Sequence, residues 1–137
     1  VRSIDDLVCV MDDAIQSWKR EHENGKVYIV QGIGGDCHTA GIMPFPENEA
    51  RFDELFENES VLVVGYDAKD KNPIPLRVTT TMTFLKTMVD ESLVYIIGES
   101  KRIPLQTILS DSGTTYSTPG RVLNEMKSVT LFTDITI

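Results

Sequence analysis

Short β-rich segments separated by compact turns fill most of the chain, and their spacing limits the fold more than any other feature. From Ser60 onward, polar turns fall at 69–73, 90–92 and 98–102, with alternating or wholly apolar residues between them. Turns of this length join antiparallel neighbours, whereas parallel strands require a crossover of about a dozen residues or more. The 137 residues suffice for one core. We therefore predict a single α+β domain over residues 1–137, with a mostly antiparallel sheet of six or seven strands and three helices packed on it.

Seven segments have the composition of β-strands. A glycine-rich turn at 32–36 separates the first two, which we interpret as a hairpin that uses positive φ angles at Gly34 and Gly35. The run 93–97 is apolar on both faces, so we place it at the centre of the sheet. Pro104 places its own strand at an edge or at a strand start. The predicted strands cover residues 26–31, 37–45, 61–66, 76–84, 93–97, 103–109 and 129–137.

Three segments have helical signatures. The first runs from about Ile4 to Glu23 and carries an apolar stripe behind a capping box formed by Ser3 and Asp6. The second spans about 47–57, and the third begins at Thr118–Pro119, an N-cap followed by proline in the first helical position. The side chains that the second and third helices are predicted to bury are Phe52, Leu55, Phe56, Val122, Leu123 and Met126.

The charge distribution argues against some classes of binding partner. Thirteen acidic and five basic residues lie in residues 1–60, which therefore carry the whole net charge of −8. Nonspecific binding to nucleic acid or an anionic membrane relies on Lys and Arg that displace counterions, so we expect no direct nucleic-acid binding and no membrane partner. The acidic half is compatible with a basic protein partner or with solubility alone.

Location and assembly follow from equally general features. No run approaches the roughly 18 apolar residues of a membrane helix, and no basic region followed by an apolar run indicates a signal peptide. Two cysteines are too few for a disulfide scaffold, which favours a reducing, cytoplasmic environment. The predicted edge strands are compatible with a homo-oligomer.

The glycines of segment 32–35 suggest a nucleotide-binding turn, but the surrounding sequence excludes the two common forms. A dinucleotide fingerprint needs a third glycine where Cys37 stands and a helix directly after the turn, where Pro44 and Pro46 follow instead. No Gly-Lys-Ser/Thr occurs, which excludes a P-loop. Two interpretations remain, a plain hairpin turn and a nest of backbone N–H groups that holds an anion.

Asp36, Cys37 and His38 resemble a compressed catalytic cluster. In an extended segment Cys37 and His38 point to opposite faces, whereas Asp36 and His38 can share a face and orient an imidazole, although no nucleophile stands beside it. A nucleophilic Cys37 would need His22 or a distant acid as its base. We interpret these residues as structural, predict no catalytic residue, and interpret Cys9 as a packing residue of the first helix.

We predict no metal and no cofactor. The two histidines and two cysteines lack ligand spacing, and the carboxylates of 47–59 follow one solvated helix face without the pattern of a calcium loop. Thr79, Thr81 and Thr83 alternate along a predicted strand; we interpret them as the wet face of the sheet, with a hydroxyl row for a polar ligand as the alternative.

The hydroxyl-rich loop 110–117 is the strongest candidate binding site. It leads into a predicted helix N-terminus, whose free N–H groups favour anions. Arg121 lies in the first turn of that helix, and Tyr116 is suited to stack on a ring. The predicted ligand-binding residues are Ser112, Thr114, Thr115, Tyr116, Ser117 and Arg121, assisted by Arg102 and Arg77.

These features support three hypotheses about function. The leading one is a non-catalytic binding protein for a small phosphate-bearing or nucleotide-like ligand, hence a small anionic ligand at loop 110–117. The second is an acidic interaction or inhibitor module that presents Glu49, Asp53, Glu54 and Glu57 to a basic protein. The third is a cysteine-dependent enzyme built on Cys37.

Overall fold

Two small sheets, rather than one large one, organise the structure. The computed structural model describes residues 3–136, and its helices and strands are numbered here in chain order. Short 3₁₀ segments at Lys69–Lys71, Glu99–Lys101 and Pro119–Asn124 complete the secondary structure of the described part. The elements are α1 (Ile4–Glu21), β1 (Tyr28–Gly32), α2 (Glu49–Phe56), β2 (Val63–Asp67), β3 (Leu76–Thr80), α3 (Met82–Thr87), β4 (Glu91–Ile96), α4 (Arg102–Leu109) and β5 (Val129–Thr133).

The larger sheet is parallel, and this contradicts the predicted fold class. Its three strands lie in the order β1-β4-β5, with β1 parallel to β4 and β4 parallel to β5. β2 and β3 form a separate antiparallel pair. The prediction of a mostly antiparallel sheet of six or seven strands is therefore wrong, whereas the central position of β4 is confirmed. The long crossovers 33–90 and 97–128 contain elements that the sequence alone did not identify as helices.

Two predicted strands contain helices instead. Residues 82–87 form α3, because Thr81 is buried and its side chain caps the helix by accepting from the amide of Phe84. Residues 102–109 form α4, in whose first turn Pro104 is tolerated because the amides there have no partner within the helix. The apolar alternation of both segments therefore supports an amphipathic helix equally well.

The predicted hairpin over 26–45 is also absent. β1 pairs with β4, and residues 33–45 form an irregular loop with a single bridge between Thr39 and Ile42. Positive φ angles occur at Cys37, Ala40 and Gly41 rather than at Gly34 and Gly35. The third predicted helix is the 3₁₀ segment 119–124, which buries Val122 as expected, and Thr118 provides no side-chain cap.

The first two helices follow the prediction closely. α1 has the expected capping box, in which Ser3 accepts from the amide of Asp6 and Asp6 accepts from the amide of Ser3. α1 packs on the β2–β3 pair, where Gly65 leaves room for Ile4 and Val8. Cys9 is exposed, so its predicted packing role is wrong.

The core has two parts. One lies among α2, α3, the β2–β3 pair and residues 42–45, and contains the mutually packed rings of Phe45, Phe52, Phe56 and Tyr66. The other lies between α4 and one face of the parallel sheet, around Val94 and Ile96. Thr79, Thr81 and Thr83 are buried rather than wet. Among the described helices, none has both the length and the apolar character needed to cross a membrane.

Candidate active site

The loop that follows β1 brings a carboxylate and an imidazole together. His38 Nδ1 lies 2.6 Å from Asp36 Oδ1, and the backbone N–H of His38 donates to the same oxygen over 3.1 Å. The His38 side chain remains 33% exposed, and no described residue bonds to its Nε2. Since the Asp36 carboxylate can only accept a hydrogen bond, Nδ1 carries the proton that it accepts from, and Nε2 is then the ring nitrogen with a free lone pair.

The backbone of the loop makes this contact possible. Cys37, between the two residues, has a φ of 65°, which turns the chain so that Asp36 and His38 face one another. A Cβ on Gly34 would lie 2.6 Å from Asp36 Oδ1 and closer still to the imidazole ring. We call Asp36 and His38 the dyad. Position 34 requires glycine, because any side chain there would occupy the space that the dyad fills.

Three parts of the fold hold the loop in place. Thr39 is fully buried and donates to Gly32 O at the end of β1. On the β2–β3 pair, the hydroxyl of Thr79 donates to the carbonyl of Ala40, and Tyr66 donates to that of Gly41. From the 3₁₀ segment 119–124, the amide of Gly120 donates to the carbonyl of Cys37 over 2.9 Å. These bonds fix the backbone on both sides of His38.

The local electrostatics favour an ionised acid and a neutral thiol. Partial burial of Asp36 opposes its ionisation, but hydrogen bonds from the amide and ring of His38 outweigh this and lower the pKa of Asp36. Burial, reinforced by the charge of Asp36, raises the pKa of the Cys37 thiol despite the opposing charge of Lys101. A buried thiol with a raised pKa is a poor nucleophile, so Cys37 packs rather than reacts.

Two cations border the loop. Lys101 Nζ donates to Ile33 O over 2.7 Å. Arg77 pairs with Tyr66 across the β2–β3 ladder, and its Nη1 lies 3.9 Å from the position that a Cβ of Gly41 would take. Its Nε is buried without a protein partner among the described residues. Arg77 is thus the one predicted ligand-binding residue that the structure places beside the dyad loop.

Arg121 lies against loop 110–117, as predicted, whereas Arg102 is paired elsewhere. Nη1 of Arg121 donates to the carbonyl oxygens of Thr107, at the C-terminal end of α4, and of Ser110, at the start of the loop. Arg102 pairs with Glu99 and donates to Thr136 O. Arg121 therefore bonds to the predicted loop itself, and Arg102 lies outside it; anion binding by either residue stays a prediction.

The hydroxyls of loop 110–117 are also engaged with the loop itself or left in solvent. Thr114 and Ser117 bond to one another, and Tyr116 is half-buried with its carbonyl bound to the amide of Phe45. The amide of Gly120 bonds to Cys37 O, so it does not face outward. Ligand binding by Ser112, Thr114, Thr115, Tyr116 and Ser117 stays a prediction, but the helix N-terminus on which it depended is absent.

No group of three or more histidine, cysteine or acidic side chains within residues 3–136 could hold a metal ion. What the arrangement can do chemically is remove a proton. An imidazole held by a carboxylate and open at Nε2 is suited to activate water for attack on a carbonyl carbon. The sequence contains the signal, which is an acid and a histidine two residues apart. We set it aside because no nucleophilic side chain stands beside this pair.

Similarity to known proteins points to enzymes of sugar phosphates. The family model described as glucosamine-6-phosphate isomerases/6-phosphogluconolactonase matches residues 10–132. No curated protein sequence matches the chain significantly.

The chain is also similar to solved structures of 6-phosphogluconolactonases. For the protein from Trypanosoma cruzi the identity is 20% and the TM-score 0.64, over 96% of this chain and 51% of that one. For the protein from Plasmodium vivax the identity is 14% and the TM-score 0.68, over 96% of this chain and 52% of that one. For the protein from Thermotoga maritima the identity is 24% and the TM-score 0.58, over 90% of this chain and 51% of that one. At these identities the likeness establishes a common fold. This chain spans about half the length of each of these proteins.

The family match overturns the predicted functions. Its members are described as isomerases and lactonases, so the predictions of a non-catalytic binding protein and of an acidic interaction or inhibitor module are wrong. The third hypothesis, an enzyme built on Cys37, fails because that thiol is buried and its pKa is raised.

Proposed function

Because this chain belongs to the family of glucosamine-6-phosphate isomerases and 6-phosphogluconolactonases, we propose that it hydrolyses the lactone of a phosphorylated sugar acid, with His38 as general base. The observation that carries the proposal is the 2.6 Å contact between His38 Nδ1 and Asp36 Oδ1, which leaves Nε2 unbonded among the described residues. The solved structures named above, all 6-phosphogluconolactonases, favour the lactone over the amino sugar as substrate.

One residue, His38, can act first as the base that takes a proton from water and then as the acid that gives this proton to the leaving oxygen. His38 Nε2 accepts a proton from water while the water oxygen bonds to the lactone carbonyl carbon. The ionised Asp36 stabilises the imidazolium formed in this step, because it already accepts a hydrogen bond from Nδ1–H. Collapse of the tetrahedral intermediate breaks the bond between the carbonyl carbon and the ring oxygen. That oxygen then takes the proton from Nε2, which gives the open-chain acid and restores the neutral histidine.

The phosphate of the substrate requires positive charge in an otherwise acidic molecule. Arg77 is the best candidate, because its guanidinium borders the dyad loop and its Nε lacks a protein partner among the residues described. Lys101 lies at the start of the loop, where its ammonium group bonds to one carbonyl, that of Ile33, and has two further protons to donate. These two cations thus replace Arg121 and Arg102 in our assignment of the anion-binding residues.

The test compares the two histidines of the chain. We expect the wild-type chain to accelerate hydrolysis of 6-phosphogluconolactone, measured by acid release at constant pH. We expect His38→Gln to lower kcat about 10²- to 10⁴-fold, the usual contribution of a general base. His22→Gln is the matched control, because the ring of His22 stacks on Trp18 at the C-terminal end of α1 and its Nδ1 contacts Trp18 O rather than any residue of the loop. Equal losses in the two variants, or turnover of glucosamine 6-phosphate but not of the lactone, would contradict the proposal.

A cytoplasmic location also stays a proposal. It is supported by the two free cysteines, Cys9 and Cys37, which are stable as thiols in a reducing compartment. Labelling of Cys9 in intact cells with a permeant and an impermeant thiol reagent would distinguish it from an extracellular one.

A further inference from the structure

The loop of the dyad turns back on itself directly after His38. The amide of Ile42 donates to the carbonyl of Thr39 over 2.7 Å, and Ala40 and Gly41 between them have φ angles of 49° and 79°. Two successive positive φ angles are typical of a type I′ turn, and a residue with a Cβ adopts the first of them at an energetic cost. Contacts from outside the turn must therefore hold it in this conformation.

Tyr66 supplies the contact at the exit of the turn. Its hydroxyl donates to Gly41 O over 2.7 Å and accepts from the amide of Met43 over 3.1 Å. Tyr66 is 5% exposed and Met43 1%, so water has little access to either bond. Burial raises the pKa of the Tyr66 phenol, in spite of the hydrogen bond from Met43 and the charge of Arg77, so the hydroxyl remains a donor throughout the neutral range.

The surroundings of the Tyr66 ring show that the hydroxyl, rather than the ring, distinguishes this residue. The ring lies 5.1 Å from that of Phe56 and 6.2 Å from that of Phe45, in a core cluster whose other buried aromatic residues are phenylalanines. Burial of a hydroxyl costs free energy unless it is hydrogen-bonded, so apolar packing alone favours phenylalanine at position 66 as well. The two backbone groups that the hydroxyl bonds explain why a tyrosine stands there.

Tyr66 also lies next to the cation that we assign to the phosphate of the substrate. Tyr66 and Arg77 are directly opposite in the β2–β3 ladder, so their side chains project from the same face with Cβ atoms about 4.5–5.5 Å apart. Nη1 of Arg77 in turn lies 3.9 Å from the position that a Cβ of Gly41 would take. Gly41, three residues after His38, is thus bonded by the hydroxyl of Tyr66 and approached by the guanidinium of Arg77.

We propose that Tyr66 is a positioning residue, whose hydroxyl fixes the distance between the base His38 and the phosphate-binding Arg77 by holding the turn that lies between them. This role rests on the proposed function, in which the phosphate holds the substrate while Nε2 of His38 acts on a water at the carbonyl carbon. Proton transfer requires hydrogen-bond distance, and a displacement of about 1 Å can lower a rate about 100-fold. The hydroxyl therefore affects turnover through His38 without touching the substrate.

Tyr66→Phe removes the hydroxyl and keeps the ring. We expect kcat for 6-phosphogluconolactone to fall at least tenfold while KM changes less than threefold, because Arg77 keeps its place in the ladder. We also expect the NMR signals of the His38 ring nitrogens to shift, with those of His22 unchanged. A kcat within twofold of wild type, or a raised KM at unchanged kcat, would overturn the proposal.

Two controls separate positioning from a general loss of stability. Tyr95→Phe is the same substitution at a ring that is 47% exposed on β4, and Val89→Ala is a core substitution, at a residue 1% exposed, that removes no side-chain hydrogen bond. Urea titrations give the free energy of unfolding of each variant, and rates are measured where all of them are folded. We expect both controls to keep kcat within twofold of wild type and the His38 signals in place. A loss of kcat in Val89→Ala as large as that in Tyr66→Phe would contradict the positioning role.

The ring signals also distinguish a failure of this role from a failure of the proposed function. If the wild-type chain does not hydrolyse the lactone, the proposed function is wrong, and the His38 signals of Tyr66→Phe and Val89→Ala still decide whether the hydroxyl positions the imidazole. A shift confined to Tyr66→Phe supports the positioning role, and unchanged signals overturn it.

Discussion

Substitution of Gly34 by alanine isolates the contribution of the Asp36–His38 contact. The added Cβ would lie 2.6 Å from Asp36 Oδ1 and nearer to the imidazole, well inside van der Waals contact. The nearest atoms belong to the partly exposed side chain of His38, so we expect the imidazole to rotate away and the fold to survive. Loss of one charge-assisted hydrogen bond amounts to about 1.5–3 kcal/mol. If the bond stabilises the imidazolium in the transition state by that amount, kcat falls about 10- to 150-fold.

Gly35 provides the matched control. Its φ is not positive and nothing lies within 4 Å of its Cβ position, so Gly35→Ala should retain nearly wild-type kcat. Initial rates of lactone hydrolysis give kcat and KM, and we expect KM of Gly34→Ala to change little. NMR of the ring nitrogens provides a second readout, with His22 as the internal reference. A Gly34→Ala variant with kcat within twofold of wild type and an unchanged His38 ring signal would refute the reasoning.

Two further predictions concern stability. Arg121→Met removes the hydrogen bonds to the carbonyl oxygens at the end of α4, and should lower the free energy of unfolding by about 1–2 kcal/mol in urea titrations; a raised KM without a change in stability would instead return Arg121 to the anion site. Asp36→Asn tests the dyad through the pH dependence of stability. Because the pKa of Asp36 is lowered in the folded state, the ionised carboxylate stabilises the fold above about pH 4. This stabilisation disappears as the pH falls through the lowered pKa. The two proteins should therefore differ in unfolding free energy at pH 6 and converge in strong acid, and a constant difference across this range would be inconsistent with an ionised Asp36 in the folded state.

The elements that the sequence predicts correctly are those specified by short-range signals. α1 and α2 have side-chain caps and apolar residues at helical spacing, and both helices appear within a few residues of the predicted bounds. The central position of β4 follows from a run that is apolar on both faces, although only the face with Val94 and Ile96 is buried in the structure. Each of these predictions depends only on residues that lie close together in the sequence.

The errors occur where packing decides between two local solutions. Residues 103–109 alternate well enough for a strand, yet they cover Val94 and Ile96 as a helix, and Pro104 is compatible with either state. Similarly, no local rule predicts a φ of 65° at Cys37, because non-glycine residues rarely adopt it. The hydrogen bonds that hold this conformation come from Thr79 and Gly120, which are distant in sequence.

The error in the sheet also caused the error in the site. In an antiparallel hairpin, residues 32–36 are a surface turn, and an acid two residues from a histidine has no special position. In a parallel sheet, the loops at the carboxyl ends of the strands are where ligands bind, and the loop after β1 is one of these. Knowledge that β1 pairs in parallel with β4 would therefore have directed attention to Asp36 and His38 before loop 110–117. The orientation of one strand pair thus determines which of two polar loops is the better candidate for the chemistry.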